Sequence, residues 1–203
     1  MTDFVLRSSP PSPFGRKVKI AAAVLGLSDR ITVKVTDTND PADSIRRENP
    51  LGKIPALITA DGTCLYDSRV IVEYLDHVAG GGRILPTDPA ERFPALVLQA
   101  TADGIMDAAI LRRYEVAMRA EGERSAKWDA HQVGKIERAV AALEAAPPPQ
   151  GRVWIGDIAL ACALGYLDFR FDGTWRAEHP RLVEWLDAFA AAVPAFEATR
   201  VKV

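Results

Sequence analysis

Three short segments carry residues whose types and spacing could do chemistry. The first is Arg7-Ser8-Ser9-Pro10-Pro11-Ser12-Pro13-Phe14-Gly15-Arg16-Lys17-Val18. Within it, Ser12-Pro13 reads as a helix N-cap followed by proline at the first helical position. A capping serine uses its oxygen as an acceptor, so its O–H is left to donate. Aimed at a sulfur, that donor favours thiolate over thiol, and the positive end of the helix dipole adds to it. Lowering an ordinary thiol pKa by about 2 units takes about 2.7 kcal/mol. One hydrogen bond to an anion plus a helix dipole is of that order. The structural role and the chemical one are therefore compatible. Ser9 stays open as the alternative sulfur partner, because a one-residue change in loop path would exchange it with Ser12.

The second segment is Asn49-Pro50-Leu51-Gly52-Lys53-Ile54-Pro55-Ala56-Leu57. A proline opening an apolar strand directly after a glycine-containing turn is either an ordinary strand-opening proline or a cis one. In the cis form the backbone N–H and C=O of Ile54 turn outward, and a peptide ligand can pair with them as a short added strand. The third segment is Tyr66-Asp67-Ser68, at a strand-to-helix junction. A helix start attracts a carboxylate, Ser68 adds a hydroxyl donor, and Asp67 adds an anion for an ammonium group. Together they suit the zwitterionic end of an amino acid; a plain N-cap is the other reading.

These segments need elements to hold them. Phe4–Ser8 is a short apolar run expected to form a strand. Arg16–Leu25 has apolar residues at helical spacing, with Gly26 as a C′ residue. Ile31, Val33 and Val35 alternate with polar neighbours, predicting a half-buried strand. Asp40-Pro41 predicts the start of a short helix running to Glu48. Pro55–Ala60 and Thr63–Tyr66 flank Asp61-Gly62, predicting a hairpin with a type I′ turn. Asp67–Val78 reads as an amphipathic helix. Gly80-Gly81-Gly82 and Leu85-Pro86-Thr87-Asp88-Pro89 break the pattern. Beyond them Ala90–Glu121, Lys127–Ala145, Asp157–Leu167 and Pro180–Ala191 read as helices. The expected organisation is an α/β domain over 1–78, a linker over 79–89 and an all-helical domain over 90–203.

Composition narrows the function classes. The 203 residues are 48% hydrophobic and 26% charged, which is ordinary for a globular protein able to bury a sizeable core. A formal net charge of −2 gives no electrostatic ground for nucleic acid or an anionic membrane as partner. No apolar run approaches the roughly 20 residues of a bilayer span, and MTDFVLRSSPP does not read as a signal peptide. Cys64 and Cys162 stand far apart, and His77, His131 and His179 have no ligand spacing, so neither a disulfide nor a zinc site is expected. The expected compartment is the reducing cytosol. Trp128, Trp154, Trp175 and Trp185 read as packing residues.

In this order and spacing the three segments resemble the N-terminal domain of the glutathione transferases. The string S-P-F-x-R-K-V is followed by N-P-L-G-K-I-P-A-L and then by D-S ahead of an amphipathic helix, most similar to the serine-type bacterial members. The second half agrees, with A-D-G-I-M-D-A at Ala102–Ala108 and D-I-A-L-A-C-A-L-G-Y-L at Asp157–Leu167, so the resemblance covers nearly the whole chain. It implies a thioredoxin-like domain followed by a helical bundle. It places Ser12 at the glutathione sulfur, the Ile54 backbone with cis Pro55 against the cysteinyl part, and Lys53 near the glycyl carboxylate. Asp67 and Ser68 then hold the γ-glutamyl end, and Asp107 approaches it from across a homodimer. The electrophile pocket is expected between the Pro10–Phe14 loop and helices around Ile105–Tyr114, using Phe14, Ile105 and Arg112. One departure stands out: the family's Ser or Thr three residues before Asp157 is here Trp154, leaving Asp157 to cap its helix alone.

The function implied is a cytoplasmic, detoxifying glutathione transferase that takes glutathione as co-substrate, needs no metal, and adds its thiolate to a small electrophile. The alternative is a binding or regulatory protein that keeps the fold without chemistry, of the stringent starvation protein A kind. A glutaredoxin-like or omega-like thiol exchange would want a cysteine where Ser12 stands.

Overall fold

The computed structural model describes residues 3–201. It divides into two compact units, one formed by residues 3–95 with 194–201 and the other by Leu96–Val193.

The first unit opens with β1 (Phe4–Ser8), α1 (Pro13–Val24) and β2 (Ile31–Val35). A single helical turn α2 (Ile45–Glu48) leads to β3 (Ala56–Ile58), β4 (Cys64–Leu65) and α3 (Ser68–Val78). The strands form one mixed sheet in the order β2-β1-β3-β4, with β1 parallel to β2 and antiparallel to β3. Helices α1 and α3 bury Val18, Ile20, Ile71 and Leu75 completely, and Leu6 and Leu57 from the central strands are equally enclosed. This is the thioredoxin-like half expected from the sequence.

Four local expectations are corrected. The helix expected from Asp40 begins only at Ile45, because the Asp40 carboxylate closes a tight turn on the Ala42 N–H at 2.8 Å instead of capping a continuing helix. The hairpin exists, but not with a type I′ turn. Gly62 has φ +86° and donates to the Thr59 carbonyl at 2.9 Å, while Asp61, which a type I′ turn needs at positive φ, is not left-handed. The Asp61 carboxylate instead accepts from the Thr63 N–H at 3.1 Å, making a three-residue loop. Strand β2 is exposed rather than half-buried: it is the sheet edge, and Val33 and Val35 are 45% and 69% accessible. Trp128, expected to pack inside, is 42% exposed and stacks on His131; Trp175 and Trp185 are buried.

The glycine-rich stretch after α3 is stitched in place. The buried Asp76 carboxylate accepts three backbone N–H groups, from Gly82, Arg83 and Ile84, at 2.8, 2.9 and 2.8 Å. Ile84 and Leu85 are buried as a result. The last described helix, α8 (Ala195–Ala198), was not legible in the sequence. It belongs to this first unit through Arg16, whose guanidinium lies 4.1 Å from the Phe196 ring centroid and donates to the Phe196 carbonyl and to Thr199.

Helix α4 (Pro89–Ala117) runs from the first unit into the second, where α5 (Ala126–Ala145), α6 (Ile155–Phe171) and α7 (Pro180–Ala192) follow. Among the described helices, α4 alone has the length and apolar content that a membrane span would require; Gln99, Asp103, Ile105 and Met106 along it are buried within the protein, while Phe93, Val97 and Val116 are exposed. Helix α6 is buried on nearly every side from Ile155 to Leu167, which makes it the core of the helical unit. Its start has the half-cap expected: Trp154 offers no side-chain bond, while the Asp157 carboxylate accepts the Trp154 N–H at 2.8 Å. Burial pushes the Asp157 carboxyl above its ordinary pKa. The start of α7 is capped from α5, with Glu144 accepting the N–H groups of Arg181 and Leu182 at 3.1 and 2.9 Å.

One charged residue lies at the centre of the first unit. Arg7, 1% exposed in β1, donates to Thr36 at 2.8 Å, Ser44 at 2.9 Å and Glu48 at 2.8 Å, and also pairs with Asp43. The hydrogen bond from the Ile45 N–H, then the charge of Arg7, hold the Asp43 carboxyl below its ordinary 3.8, against the opposing effect of burial. Removing one partner of a buried ion pair costs about 3–5 kcal/mol. Arg7→Ala is therefore expected to lower the denaturant midpoint by that order, with Arg7→Met less severe because it refills the volume. The depressed carboxyl adds stability above its unfolded value that is lost as pH falls through the folded one. Asp43→Asn should accordingly flatten the fall in stability below about pH 4, measured by denaturant titration at a series of pH values.

Candidate functional site

The register of the sheet brings the three sequence segments to one place. Arg7 pairs with Ala56 across β1 and β3, and Leu57 pairs with Leu65 across β3 and β4. The end at which β1 finishes is therefore the end at which β3 starts and β4 finishes. The Ser9–Ser12 turn, Lys53–Pro55 and Tyr66–Ser68 all leave the sheet there. No one segment predicts this; the antiparallel placement of β3 imposes it.

Ser12 is the N-cap of α1, with its Oγ accepting the Gly15 N–H at 3.1 Å and Pro13 opening the helix. Its own N–H donates to the Ser9 carbonyl at 3.1 Å, so the two candidate serines sit in one tight turn. The cap expected from the sequence is present, and it engages the hydroxyl oxygen as acceptor. Gly15 makes the turn possible: a Cβ there would fall 2.1 Å from the Oγ of Ser8, itself fully buried at the end of β1. Phe14, half-buried, has the Lys17 ammonium 5.5 Å from its ring centroid.

The middle segment is held by a residue that sequence reasoning did not single out. Asn49, 1% exposed, accepts the Leu51 N–H at 3.0 Å and donates to the Lys53 carbonyl at 2.9 Å. Its carbonyl takes the Gly52 N–H at 2.8 Å, with Gly52 at φ +61°. The loop is thereby folded on itself, leaving Lys53 exposed and Ile54 half-buried ahead of the buried Pro55. The Ile54–Pro55 peptide is cis, the second of the two readings open from the sequence. Neither backbone group of Ile54 has a hydrogen-bond partner among the described residues. The signal available beforehand was Asn49-Pro50, a turn-initiating pair.

Asp67 caps α3, its Oδ1 accepting the Arg69 N–H at 2.9 Å, and remains exposed. Ser68 is the first residue of the helix and is 2% exposed. The plain-cap reading is thus realised, with the second carboxylate oxygen of Asp67 left for another donor. Cys64 lies in β4 near this end. Burial, and secondly the charge of Glu48, push its thiol above the ordinary value, so it is held protonated.

In the helical unit, Ile105 is buried on α4 and Asp107 is exposed two residues on. Arg112, expected in the electrophile pocket, donates from Nε to Asp129 at 2.8 Å and lies 4.5 Å from the Phe171 ring centroid. Its charge is met inside that unit. Among the described residues no group of three or more His, Cys, Asp or Glu side chains is placed to hold a metal ion.

What this arrangement can do chemically is bind an extended peptide along Ile54, with an amino-acid head at Asp67 and Ser68 and a hydroxyl at the other side. Two family models match the chain: glutathione S-transferase N-terminal domain over residues 11–78 and glutathione S-transferase C-terminal domain over residues 107–188. The uncharacterized GST-like protein YibF of Escherichia coli (strain K12) is 34% identical over 187 residues, covering 90% of this chain and 91% of its own. A glutathione transferase family member from Pseudomonas fluorescens Pf-5, solved with bound glutathione, superposes with a TM-score of 0.90 at 41% identity, covering 98% of this chain and all of its own. A structure from the same organism with bound S-(propanoic acid)-glutathione gives 0.86 at 40% identity, with the same coverage.

The close approach at Gly15 is directly testable. Gly15→Ala puts a methyl group against the buried Ser8 hydroxyl and is expected to cost about 1–3 kcal/mol in denaturant unfolding. Adding Ser8→Ala removes the oxygen and leaves carbon contacts of 3.3 Å to Ser8 and 3.4 Å to Ser12, so the double variant should recover most of the loss. Additive losses in the two variants would assign the glycine another role.

Proposed function

Because this chain belongs to the glutathione S-transferase family, we propose that it is a serine-type glutathione transferase, which ionises glutathione and presents the thiolate to a small electrophile. The observation that carries the reading is the convergence of the Ser12 turn, the unpaired backbone of Ile54 and the Asp67-Ser68 helix start at one end of the sheet. A second support is the binding of glutathione and of S-(propanoic acid)-glutathione by neighbours about 40% identical.

In this reading the cysteinyl backbone of glutathione pairs with the N–H and C=O of Ile54 beside cis Pro55. Lys53 meets the glycyl carboxylate. Asp67 takes the γ-glutamyl ammonium, while Ser68 and the N–H groups opening α3 take its carboxylate. Ser12 accepts from Gly15 and donates its O–H to the sulfur, with the positive end of α1 adding to the stabilisation of the thiolate. The thiol proton leaves to solvent, and the thiolate attacks a small electrophile. Proximity of the two reactants supplies much of the acceleration. The protein acts in the cytoplasm, removing reactive electrophiles, as a homodimer. Exposed Leu51, Val70, Phe93 and Val97, each at least 46% accessible, supply apolar surface for that assembly. In the dimer Asp107 of the partner subunit approaches the γ-glutamyl amine.

The test is the ultraviolet absorbance of bound glutathione thiolate against pH, with turnover of a chloronitrobenzene. Ser12→Ala is expected to raise the bound thiol pKa by about 1–2 units, equivalent to about 1.4–2.7 kcal/mol, and to cut kcat/KM by about tenfold to a hundredfold. Its calorimetric affinity for glutathione should stay within about threefold, because the tripeptide is held elsewhere. A loss found instead in Ser9→Ala moves the role to Ser9. Unchanged turnover in both removes the serine mechanism, and failure of the wild type to bind glutathione removes the whole reading. Light scattering on an eluting size-exclusion peak decides the dimer.

A further inference from the structure

The end of the sheet away from the Ser12 turn carries a cavity of its own. There β1 starts at Phe4 and the loop between β3 and β4 turns. The cavity measures about 440 Å³, the size of a small-molecule site, and every residue lining it belongs to the first unit. Its apolar wall is Phe4, Leu65 and Tyr74, with the Phe4 and Tyr74 rings edge-on at 6.0 Å between centroids. Phe4 is buried, and Leu65 and Tyr74 are half-buried. The Tyr74 hydroxyl has no hydrogen-bond partner among the described residues.

The charges lining it say what it can hold. They are Asp3, Arg30 and Asp61. The first two cancel: Arg30 donates from Nε to Asp3 Oδ2 at 2.7 Å, and its second nitrogen lies 2.6 Å from the same oxygen. The guanidinium also sits 5.2 Å from the Phe4 ring centroid. Asp61 has no ion-pair partner among the described residues. The hydrogen bonds that close its loop, from the Thr59 hydroxyl and from the Thr63 N–H at 3.1 Å, both fall on Oδ1, leaving Oδ2 able to accept another. Those bonds, that of Thr59 first, hold the carboxyl below its ordinary 3.8, so it is charged at neutral pH. Loop closure accounts for Oδ1. It leaves one negative charge in excess and a phenol oxygen without a donor, in one cavity with an aromatic wall.

We propose that this cavity binds an arylalkyl amine in its protonated form, with the ammonium on Asp61 and the Tyr74 hydroxyl oxygen and the aryl body against Phe4, Leu65 and Tyr74. An ammonium group gives a carboxylate a charge-assisted hydrogen bond, and an aromatic face attracts the same cation. The rings offer an apolar body offset or edge-on packing. A carboxylic acid would meet the excess negative charge instead, because the cavity's one guanidinium is already spent on Asp3. None of the lining residues belongs to the Ser12, Ile54 or Asp67 segments, so the site stands apart from the transferase reading.

The experiment compares an amine with its neutral counterpart. Isothermal calorimetry of the full chain at neutral pH uses 2-phenylethylamine and 2-phenylethanol, which differ in the ammonium group. The wild type is expected to bind the amine about tenfold more tightly than the alcohol. Asp61→Asn keeps an oxygen for Thr59 and Thr63 and should erase most of that ratio, with thermal melting confirming that it folds. Tyr74→Phe keeps the wall, loses the phenol oxygen and should lower the ratio about threefold. Glu178→Gln, which removes an exposed charge in the helical unit, should leave it unchanged. Equal affinity of the wild type for amine and alcohol overturns the proposal, as does a ratio that Asp61→Asn and Tyr74→Phe both leave intact. An equal fall in Glu178→Gln reduces the effect to net charge and overturns it too. A fall in Asp67→Asn in place of Asp61→Asn puts the amine at the start of α3 and has the same consequence.

Discussion

The candidate site depends on one buried charge. Arg7 occupies the central strand, directly across from Ala56, the residue that follows Pro55. Its guanidinium reaches the 36–48 segment through Thr36, Asp43, Ser44 and Glu48. That segment has almost no regular structure of its own: β2 ends at Val35 on an exposed edge, and α2 is a single turn. Conformational entropy would leave such a stretch loose. Arg7 gives it one geometry, because five donors in a rigid fork accept few arrangements of two carboxylates and two hydroxyls. Residue 48 then delivers the chain to Asn49, which folds the loop carrying Lys53 and Ile54. Desolvation offsets much of the Coulombic gain of a buried pair; what this one supplies is position.

How much was legible follows from how local each interaction is. The Ser12-Pro13 cap, the Asp67 cap and the helical unit were readable, because their bonds span three or four residues or repeat with helical period. The cis Ile54–Pro55 peptide was one of two readings that its local sequence allowed. Arg7 was not readable: its partners lie 29 to 41 residues away, and nothing in Phe4–Ser8 names them. The return of α8 to Arg16 failed for the same reason, at a separation of 183 residues, whereas the Asp76 stitch spans only 6 to 8 residues but follows no repeating period or capping pattern. Strand β2 failed differently. Its alternation of apolar and polar residues is correct for a strand with one covered face, but its place at the sheet edge leaves Val33 and Val35 uncovered. Pattern reports what a face would prefer, and topology decides what covers it.

Each of the three site segments taken alone has a structural explanation that suffices: a cap, a strand-opening proline, another cap. What the structure adds is their coincidence, and that coincidence comes from a mixed sheet. In an all-parallel sheet, β3 would start at the opposite end from the Ser12 turn. Because β3 runs antiparallel to β1, and β4 antiparallel to β3, the start of one strand and the ends of two others share an edge. Two helix starts, those of α1 and α3, therefore open at the same end of the sheet. The positive ends of both dipoles lie there, flanking a backbone segment whose hydrogen-bonding groups are unspent.

That electrostatic layout constrains the ligand independently of any family likeness. Two separated positive termini with a strand-like edge between them favour an extended molecule that is negative at two points. The exposed Lys53 ammonium adds a third cationic position, and the Asp67 carboxylate a single anionic one. A dipeptide with one carboxylate leaves part of this unused, whereas a γ-linked tripeptide thiol carries two carboxylates, one ammonium and a sulfur that can become the third negative centre. In the proposed reading the charge pattern of such a ligand complements that of the sheet end, and the thiolate form would complete the match at α1. Ionisation of the sulfur would then follow from filling the site, with a serine hydroxyl and a helix start in place of a stronger base.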